Sequence, residues 1–390
     1  MSPSLLNVAF LLLLVALVTA RWLLPVRLHL PLGAVGSAVV LGLASPPTLV
    51  AIGGITLAYL YPAHRLNVAI RRHGGSSVLR KVVFALGVSG LVALMLLFKV
   101  YQRFTLPFLN DTPFNQHTLA LFGFSYFLFR AIDFLYMQYL LDFVESPLTV
   151  LYYGLFPPTL TSGPIQRFLD FRDQVARPTL LDRASLTTAT YRITRGFFRK
   201  LCLASLLNKL AAPLLALPSL APWQSVATIV SLYLFFYFDF AGYSDIAIGF
   251  GLLLGIRVPE NFKRPFTSTS LTEFWRNYHI TLGDWLRNHV FIPLGGMRAS
   301  KVKAGALAAL VMLLCAMWHG LTTPFLIWGV WHAGHLYFES VVGPRPIPRA
   351  GQHGPRYWLL VLWTNTRVAL GALLFMRSPQ QVLVVLRGLL

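Results

Sequence analysis

His319 is the residue of this sequence best suited to acid–base chemistry. It lies between Trp318 and Gly320 at the end of a long apolar run, in the stretch LCAMWHGLTTPFLIWGVWHAGHL. An imidazole held away from water favours its neutral form, which accepts a proton from a hydroxyl nucleophile. Gly320 permits a turn or a close approach by a substrate. The stretch therefore predicts proton transfer at His319.

The same stretch contains His332 and His335, which are three residues apart. On a helix this spacing places both imidazoles on neighbouring positions, where they form a candidate metal pair. A third ligand is missing from the sequence around them, so we expect no metal site. We predict instead that both histidines lie toward a membrane interface and serve packing or hydrogen bonding.

A second group of polar residues occupies the segment PENFKRPFTSTSLTEFWRNYHITLGDWLRNHVFIPLGG, residues 259–296. Ser270 and Glu273 have the spacing of a capping box at a helix N-terminus. On the helix that follows, Trp275 and His279 are four residues apart and are predicted to share one face, flanked by Arg276. The segment lacks a clean apolar span, and we expect short helices that line a funnel.

Two carboxylates interrupt the apolar run FFYFDFAGYSDIAIGF, residues 235–250. Ionisable side chains within membrane segments are costly and are candidates for function. Asp239 and Asp245 are six residues apart, which on a helix places them about 120° from each other. We therefore expect no carboxylate pair, and a structural role with separate hydrogen-bond partners competes with a functional one.

The composition excludes an ordinary soluble domain. Of the 390 residues, 56% are hydrophobic and 12% are charged, whereas soluble domains have about a quarter charged residues. Unbroken apolar runs recur that are long enough to cross a hydrocarbon core of about 30 Å, without the alternation of a β-barrel. The sequence predicts an all-α polytopic membrane protein.

About eleven membrane spans are predicted from these runs. They cover residues 5–20, 32–44, 48–61, 82–100, 119–134, 148–161, 197–215, 226–254, 302–318, 323–338 and 358–375. The second and third are short and form either two thin helices or one re-entrant hairpin. Within GLFPPTLTSGPIQRFLDF, residues 154–171, the prolines predict a helix break that protein or a water-filled cavity must cover.

The net charge of +20 comes from 33 Lys and Arg against 13 Asp and Glu. The cations cluster between apolar runs, which favours cytoplasmic loops and anionic lipid over nucleic acid. Residues 21–27, 64–81 and 162–200 are thus predicted cytoplasmic loops, with the N-terminus outside and the first run a membrane helix rather than a cleaved signal. Cys202 and Cys315 are expected to be unremarkable core thiols, and one domain, residues 1–390, is the economical organisation.

Four phrases of the sequence resemble the membrane-bound O-acyltransferase (MBOAT) family, in its bacterial envelope branch. They are SGPIQRF, FDFAGYSDIAIG, the block from PENFKRPF to FIPLGG, and MWHGLTTPFLIWGVWH, and they follow the family's order within a core of about residues 154–338. The resemblance implies a multi-pass protein of the bacterial cytoplasmic membrane. The implied fold is a ring of tilted helices around a thin centre, with funnels from both faces that meet at a histidine.

The resemblance also implies residue roles. By position, His319 matches the family's catalytic histidine and His279 the second, upstream position. The implied reaction transfers an acyl group from a cytoplasmic thioester to a hydroxyl on the outer side, without a metal or a tightly bound cofactor. The remaining residues implied to shape the substrate tunnel are Trp275, Arg276, Asp239, Tyr243, Asp245, Asn261, Glu273 and Trp318.

Two relatives within this branch compete. Resemblance to the teichoic-acid D-alanylation protein implies D-alanine on a phosphopantetheine carrier protein as donor, and SGPI-x-RF, WHGLT and the short length favour it slightly. Resemblance to the alginate O-acetylation protein, at FIPLGG, implies an acetyl donor such as acetyl-CoA. Both imply an extracytoplasmic partner acyltransferase and an envelope polymer as acceptor.

Other classes of function stay open. A transporter or channel, or a non-catalytic membrane subunit, would also fit a polar cavity in a helical bundle, although a transporter is expected to show inverted repeats. On the cytoplasmic side, an acidic carrier protein would dock beside Arg287, Arg298, Lys301 and Lys303. Contact of the same cations with phospholipid is the alternative.

Overall fold

A computed structural model describes residues 8–104, 121, 123–179, 181–342, 354–375 and 378–390. The regular secondary structure of these residues is helical, apart from an isolated antiparallel bridge between Phe262 and Tyr278. The all-α prediction is therefore confirmed for the described chain. The chain divides into two compact parts, and the prediction of one domain stays a prediction.

The first part comprises residues up to Arg195 together with Tyr243–Pro259. Its helices are α1 (Val8–Leu23), α2 (His29–Ala44), α3 (Pro46–Ile55), α4 (Tyr61–Arg72), α5 (Ser77–Phe104), α6 (Phe124–Leu141), α7 (Pro147–Leu155), α8 (Pro157–Leu160), α9 (Phe168–Ala176) and α10, which begins at Arg183 and ends at Phe197. Its core is aromatic. The fully buried rings of Phe134 and Phe168 meet edge to face, with centroids 4.7 Å apart.

The predicted helix break is present between α7 and α8, at Phe156. Arg130 of α6, whose side chain is buried, donates from Nη1 to the Tyr153 carbonyl (2.8 Å) and from Nη2 to the Gly154 carbonyl (3.2 Å). A broken helix leaves carbonyls without intrahelical partners, and a buried one must be satisfied from elsewhere. The guanidinium thus supplies the protein cover that the break requires.

The second part comprises Gly196–Gly242 and Glu260–Leu390. Its helices are α11 (Ser205–Leu214), α12 (Pro222–Leu253, as far as Gly242), α13 (Leu271–Asn277), α14 (Ile280–Leu286), α15 (Lys301–His319), α16 (Thr323–Val342), α17 (Pro355–Leu374) and α18 (Pro379–Arg387). Leu271 and Phe274 of α13 are fully buried in a core that includes Leu232 of α12 and Leu373 of α17. The apolar side of α13 is therefore fixed by long helices.

Among the described residues, five helical stretches are long and apolar enough to cross a membrane: Val26–Ala44, Ser77–Tyr101, Pro222–Leu253, Lys301–His319 and Pro355–Leu374. In the second of these, Leu86 and Leu97 are 67% and 66% exposed. Long apolar helices with exposed leucines are expected where the surrounding solvent is lipid. The membrane class is thus supported, while the larger number of spans and their ring arrangement stay predictions.

Several boundaries differ from those predicted. The predicted loop 64–81 is largely helical, because α4 continues to Arg72 and α5 begins at Ser77. The predicted loop 162–200 contains α9 and α10. Both regions are amphipathic rather than uniformly apolar, so a search for apolar runs passes over them. Residues 5–7, 119, 120 and 122 of the predicted spans lie outside the described residues.

Candidate active site

His319 is the last residue of α15, and the chain turns at Gly320 before α16 begins at Thr323. A Cβ at Gly320 would lie 2.7 Å from the ring of Phe325. The turn predicted at this glycine is present, and the ring that approaches it is that of Phe325, which is stacked on His319 at a centroid distance of 5.8 Å. A close approach by a substrate stays a prediction. The glycine allows the turn to press an apolar ring against the imidazole.

Aromatic rings surround the half-buried imidazole of His319. The ring centroids of Trp318, Phe375 and Trp328 lie 4.6, 5.0 and 5.6 Å from its own. Aromatic rings thus form the immediate surroundings of the candidate base, and solvent reaches only part of its side chain.

His279 reaches the same cluster by a route that was not predicted. Helix α13 ends at Asn277, and His279 adopts a left-handed backbone conformation, φ 53°, before α14. The prediction that Trp275 and His279 share one helical face is therefore wrong. The His279 ring nevertheless packs on Phe240 (4.6 Å between centroids) and faces Trp318 at 6.3 Å. Trp318 thus contacts both His279 and His319.

Asn261 fixes the strained turn at His279. Its side-chain carbonyl accepts hydrogen bonds from the Thr281 backbone N–H (3.2 Å) and hydroxyl (2.7 Å). Its backbone carbonyl accepts from the Ile280 N–H at 3.1 Å. A non-glycine residue with positive φ persists only when its surroundings enforce it. Asn261 is fully buried, and its hydrogen bonds hold the turn that carries the histidine.

Both ring nitrogens of His279 and the indole N–H of Trp275 are buried without a hydrogen-bond partner among the described residues. Buried polar groups are usually paired, and an exception at a functional site is expected to serve a ligand. His279 and Trp275 are therefore candidates for contact with substrate.

His332, which was predicted to lie toward a membrane interface and to serve packing or hydrogen bonding, is fully buried and serves packing. Its position relative to a membrane interface stays a prediction. Its ring meets Trp275 and Trp328 with centroids 5.0 and 5.1 Å away, and those two indoles are 5.7 Å apart. His335, by contrast, is partly buried and hydrogen-bonded to the Trp331 carbonyl (2.7 Å from Nδ1). The four-residue spacing of Trp328 and His332 on a helix was the sequence feature that could have indicated their contact.

One of the two hydrogen bonds of the predicted capping box is present at the N-terminus of α13. Ser270 accepts a hydrogen bond from the Glu273 N–H at 3.1 Å. The Glu273 carboxylate instead accepts from the N–H and hydroxyl of Thr269, at 2.7 and 3.0 Å. Arg276 is exposed. Glu273 therefore shapes the start of the helix.

A second cap of α13 was not predicted. The carboxylate of Glu339, on α16, accepts hydrogen bonds from the N–H groups of Leu271 (2.9 Å) and Thr272 (3.1 Å). The same carboxylate pairs with Arg367 of α17 at 3.1 Å. An anion at a helix N-terminus is favourable. The pair therefore ties α13, which carries Trp275, to two long helices.

The two carboxylates of α12 have separate basic partners, as their spacing predicted. In the second part of the chain, Asp239 pairs with Lys200. In the first part, Asp245 accepts from Arg192 (2.7 Å) and from Arg195 (2.9 Å from Nε and 2.5 Å from Nη2). These contacts are those of structural ion pairs.

Tyr243 also belongs to the first part. Its hydroxyl is hydrogen-bonded to that of Thr161, beside the helix break. Tyr243 and Asp245 thus have partners within the first part, whereas the His279–His319 group lies within the second.

The residues predicted to dock a carrier, Arg287, Arg298, Lys301 and Lys303, are all exposed. Lys301 and Lys303 occupy the first turn of α15, where Ser300 caps the Lys303 N–H at 3.4 Å. Cations at this end of a helix are unfavourable, because the helix dipole is positive there. Binding of an anionic partner would compensate for this unfavourable electrostatic energy. No group of three or more potential metal ligands occurs among the described residues.

Comparison with known proteins assigns the chain to a family. Residues 138–346 match the sequence profile of MBOAT, the membrane-bound O-acyltransferase family. The chain belongs to this family. His279 and His319 both lie within the matched residues of this MBOAT protein.

Curated relatives come from the bacterial envelope branch. The probable alginate O-acetylase AlgI of Pseudomonas aeruginosa is 34% identical over 300 residues, covering 72% of this chain and 55% of the relative. The teichoic acid D-alanyltransferase of Bacillus subtilis is 29% identical over 266 residues, covering 64% and 66%. The peptidoglycan O-acetyltransferase of Helicobacter pylori is 34% identical over 182 residues, covering 45% and 34%. The chain spans about half the length of the alginate relatives it matches.

Proposed function

We propose that this MBOAT protein is an enzyme that transfers an acyl group from a thioester to a hydroxyl. The observation that carries the proposal is that the rings of His279 and His319 both lie against Trp318, inside the segment that matches the family. Two imidazoles beside one indole, among apolar rings, suit a proton transfer between two organic substrates. Transport would not need this arrangement.

In the proposed reaction His319 is the general base. Its neutral imidazole takes the proton of the acceptor hydroxyl while the oxygen attacks the thioester carbonyl. As the tetrahedral intermediate collapses, the C–S bond breaks and the thiolate recovers the proton from the His319 imidazolium. The products are an ester and a thiol, and no proton is gained or lost overall.

His279 is assigned a supporting role in this reaction. Its ring nitrogens have no hydrogen-bond partner in the described part of the chain, and the two residues after it are held by Asn261. A preorganised donor directed at a carbonyl oxygen stabilises the charge that develops there. We assign His279 and the Trp275 indole N–H to contacts with the reacting groups, and Trp318 to the wall between the imidazoles. Arg276, Asp239 and Glu273 are assigned to the wall of the substrate tunnel in this proposal.

The setting proposed for this chemistry is the cytoplasmic membrane of a bacterium. A ring of about eleven helices would enclose a thin centre, with one funnel for a cytoplasmic thioester and another for the acceptor. The names of the relatives indicate acetyl or D-alanyl transfer to an envelope polymer. An extracytoplasmic partner acyltransferase would complete delivery to that polymer.

The donor is proposed to arrive at the exposed cations Arg287, Arg298, Lys301 and Lys303. The donor would be an acidic carrier protein bearing acyl-phosphopantetheine, or acetyl-CoA with its phosphates. Either would neutralise the positive charges at the start of α15. Binding of this kind weakens as salt screens the charges. Donor binding that does not change between low and high salt would contradict the assignment.

The direct test is label transfer with two donors. Membranes containing the wild-type protein are supplied with labelled acetyl-CoA in one reaction and with D-alanyl-phosphopantetheine carrier protein in another. We expect label from one donor to enter an alkali-labile ester that membranes without the protein do not form. If neither donor yields an ester while the protein moves a labelled solute across vesicles, acyl transfer is the wrong class of function.

A further inference from the structure

Packing alone does not explain why a histidine occupies position 332. Its side chain is fully buried, and both ring nitrogens have no hydrogen-bond partner among the described residues. An unpaired buried polar group destabilises a protein, whereas an apolar side chain of similar volume would not. A residue retained at such a position is expected to contribute something other than stability.

The contacts of His332 indicate that contribution. Its ring is perpendicular to the Trp275 indole (89° between planes, 5.0 Å between centroids) and at 65° to that of Trp328 (5.1 Å). Edge-to-face pairs of this kind are directional. Trp328 in turn contacts His319, at 84° and 5.6 Å. His332 therefore fixes the orientation of an indole that borders the proposed base.

Gly371 of α17 makes the position of His332 possible. A Cβ at Gly371 would lie 2.3 Å from His332 Nε2 and 2.9 Å from Cε1. The imidazole thus lies against the Gly371 backbone and packs on two indoles. A side chain at position 371 must shift the ring and so disturb its packing on Trp275 and Trp328.

We propose that His332 is a positioning residue, which acts through Trp275 and Trp328 to hold the walls around His319, and that Gly371 sets its depth. This inference rests on the proposed acyl transfer. It assigns no proton transfer to His332 and does not require contact with substrate.

The test compares two identical substitutions. Gly371→Ala adds a methyl group against His332, while Gly334→Ala adds one on α16 where nothing lies within 4 Å. Alanine is the better helix former at both positions, which offsets part of the cost of overpacking at position 371. A displacement of even a few tenths of an ångström at a reacting group lowers kcat, here on the order of tenfold. KM should stay within about twofold, because ground-state binding is untouched.

The assay uses labelled acetyl-CoA and, in a parallel reaction, carrier-bound D-alanyl-phosphopantetheine. Thermal midpoints are measured for every variant. We expect Gly371→Ala to lower kcat in protein that has a lower midpoint but stays folded at the assay temperature, and Gly334→Ala to keep the wild-type kcat. His332→Leu should show the same loss of kcat without loss of stability. A folded Gly371→Ala protein with wild-type kcat would overturn the proposal.

A double variant shows whether Gly371 acts through His332. If it does, adding Gly371→Ala to His332→Ala should leave kcat within about twofold of the single His332→Ala value. Equal losses from Gly371→Ala in both backgrounds would overturn the proposal, as would a fall in kcat that only follows a fall in stability. A wild-type protein that transfers no label refutes the proposed function, a result distinct from all of these.

Discussion

Asp245 offers a test of whether a buried carboxylate of this protein serves structure or chemistry. Its side chain is 4% exposed and pairs with Arg192 and Arg195, whose side chains are 21% and 27% exposed. Burial lowers the pKa of Arg195, but the hydrogen bonds and charge of Asp245 outweigh this and leave that pKa above its ordinary value. The carboxylate thus compensates two cations that are partly withdrawn from water.

The substitution Asp245→Asn removes the charge and keeps the shape. Removing one partner of a buried ion pair destabilises a protein by about 3–5 kcal/mol. Water reaches part of both guanidinium groups, so we expect the low end, about 3 kcal/mol. The matched control is Asp173→Asn, where the carboxylate pairs with Arg172 at 2.7 Å and is 64% exposed. Exposed pairs of this kind are worth about 0–1 kcal/mol.

The assay is the thermal midpoint of the detergent-solubilised protein, followed by loss of the monodisperse fraction. We expect a clear fall for Asp245→Asn, little change for Asp173→Asn, and normal acyl transfer by the Asp245→Asn protein that remains folded. An Asp245→Asn protein with the wild-type midpoint and no activity would refute the reasoning, because the carboxylate would then act in the reaction.

Three further predictions concern other buried polar groups. Arg130→Met should destabilise the helix break by about 3 kcal/mol, since two buried carbonyls lose their donor; Arg130→Lys should restore little of the thermal midpoint, because an ammonium lacks the forked geometry. Glu339→Gln should cost about 3 kcal/mol, because it removes the charge that pairs with buried Arg367 and weakens the bonds to the α13 N-terminus, and hydrogen exchange at Leu271 and Thr272 should quicken; unchanged exchange there contradicts the cap. Burial and the nearby Arg65 lower the pKa of His64 to about 4, so its contribution is present above its unfolded pKa of about 6.5 and is lost as pH falls toward 4. Relative to His64→Gln, the wild type should thus lose about 3 kcal/mol between pH 7 and pH 4; parallel midpoints of the two proteins over this range would contradict the assignment.

The sequence predicted the residues of the site better than their positions. His319 was recognisable because a polar residue ends a long apolar run. The prediction that Trp275 and His279 share one helical face was wrong, because helical periodicity does not reveal a residue with a left-handed backbone conformation. That conformation is enforced by Asn261, which lies on a different segment of the chain.

The contacts that the sequence did not indicate are all between distant segments. The depth of His332 depends on Gly371, and the start of α13 depends on Glu339 and Arg367. Neither contact can be predicted from a short stretch of sequence around one residue. Local patterns identified the helices of this chain, but the packing between helices determines which polar side chains meet.

The amphipathic helices illustrate a second limit. α4 and α10 were predicted to be loops because basic residues interrupt their apolar positions. In a membrane protein, uniform apolarity marks only the segments that face lipid, and a helix that is partly covered by protein or lies near the headgroups has a mixed composition. Hydropathy alone therefore assigns too few residues to helices.

The most direct test of the proposed function is the substitution His319→Ala measured beside His335→Ala. The first removes an imidazole from the end of α15, and the second removes one from the middle of α16. His335 is hydrogen-bonded to the Trp331 backbone carbonyl and lies outside the proposed reaction. Removing a general base lowers the rate by about 10²–10⁴-fold. We expect that loss for His319→Ala, in folded and membrane-inserted protein, and near-normal label transfer for His335→Ala. Wild-type transfer by the His319→Ala protein would contradict the account.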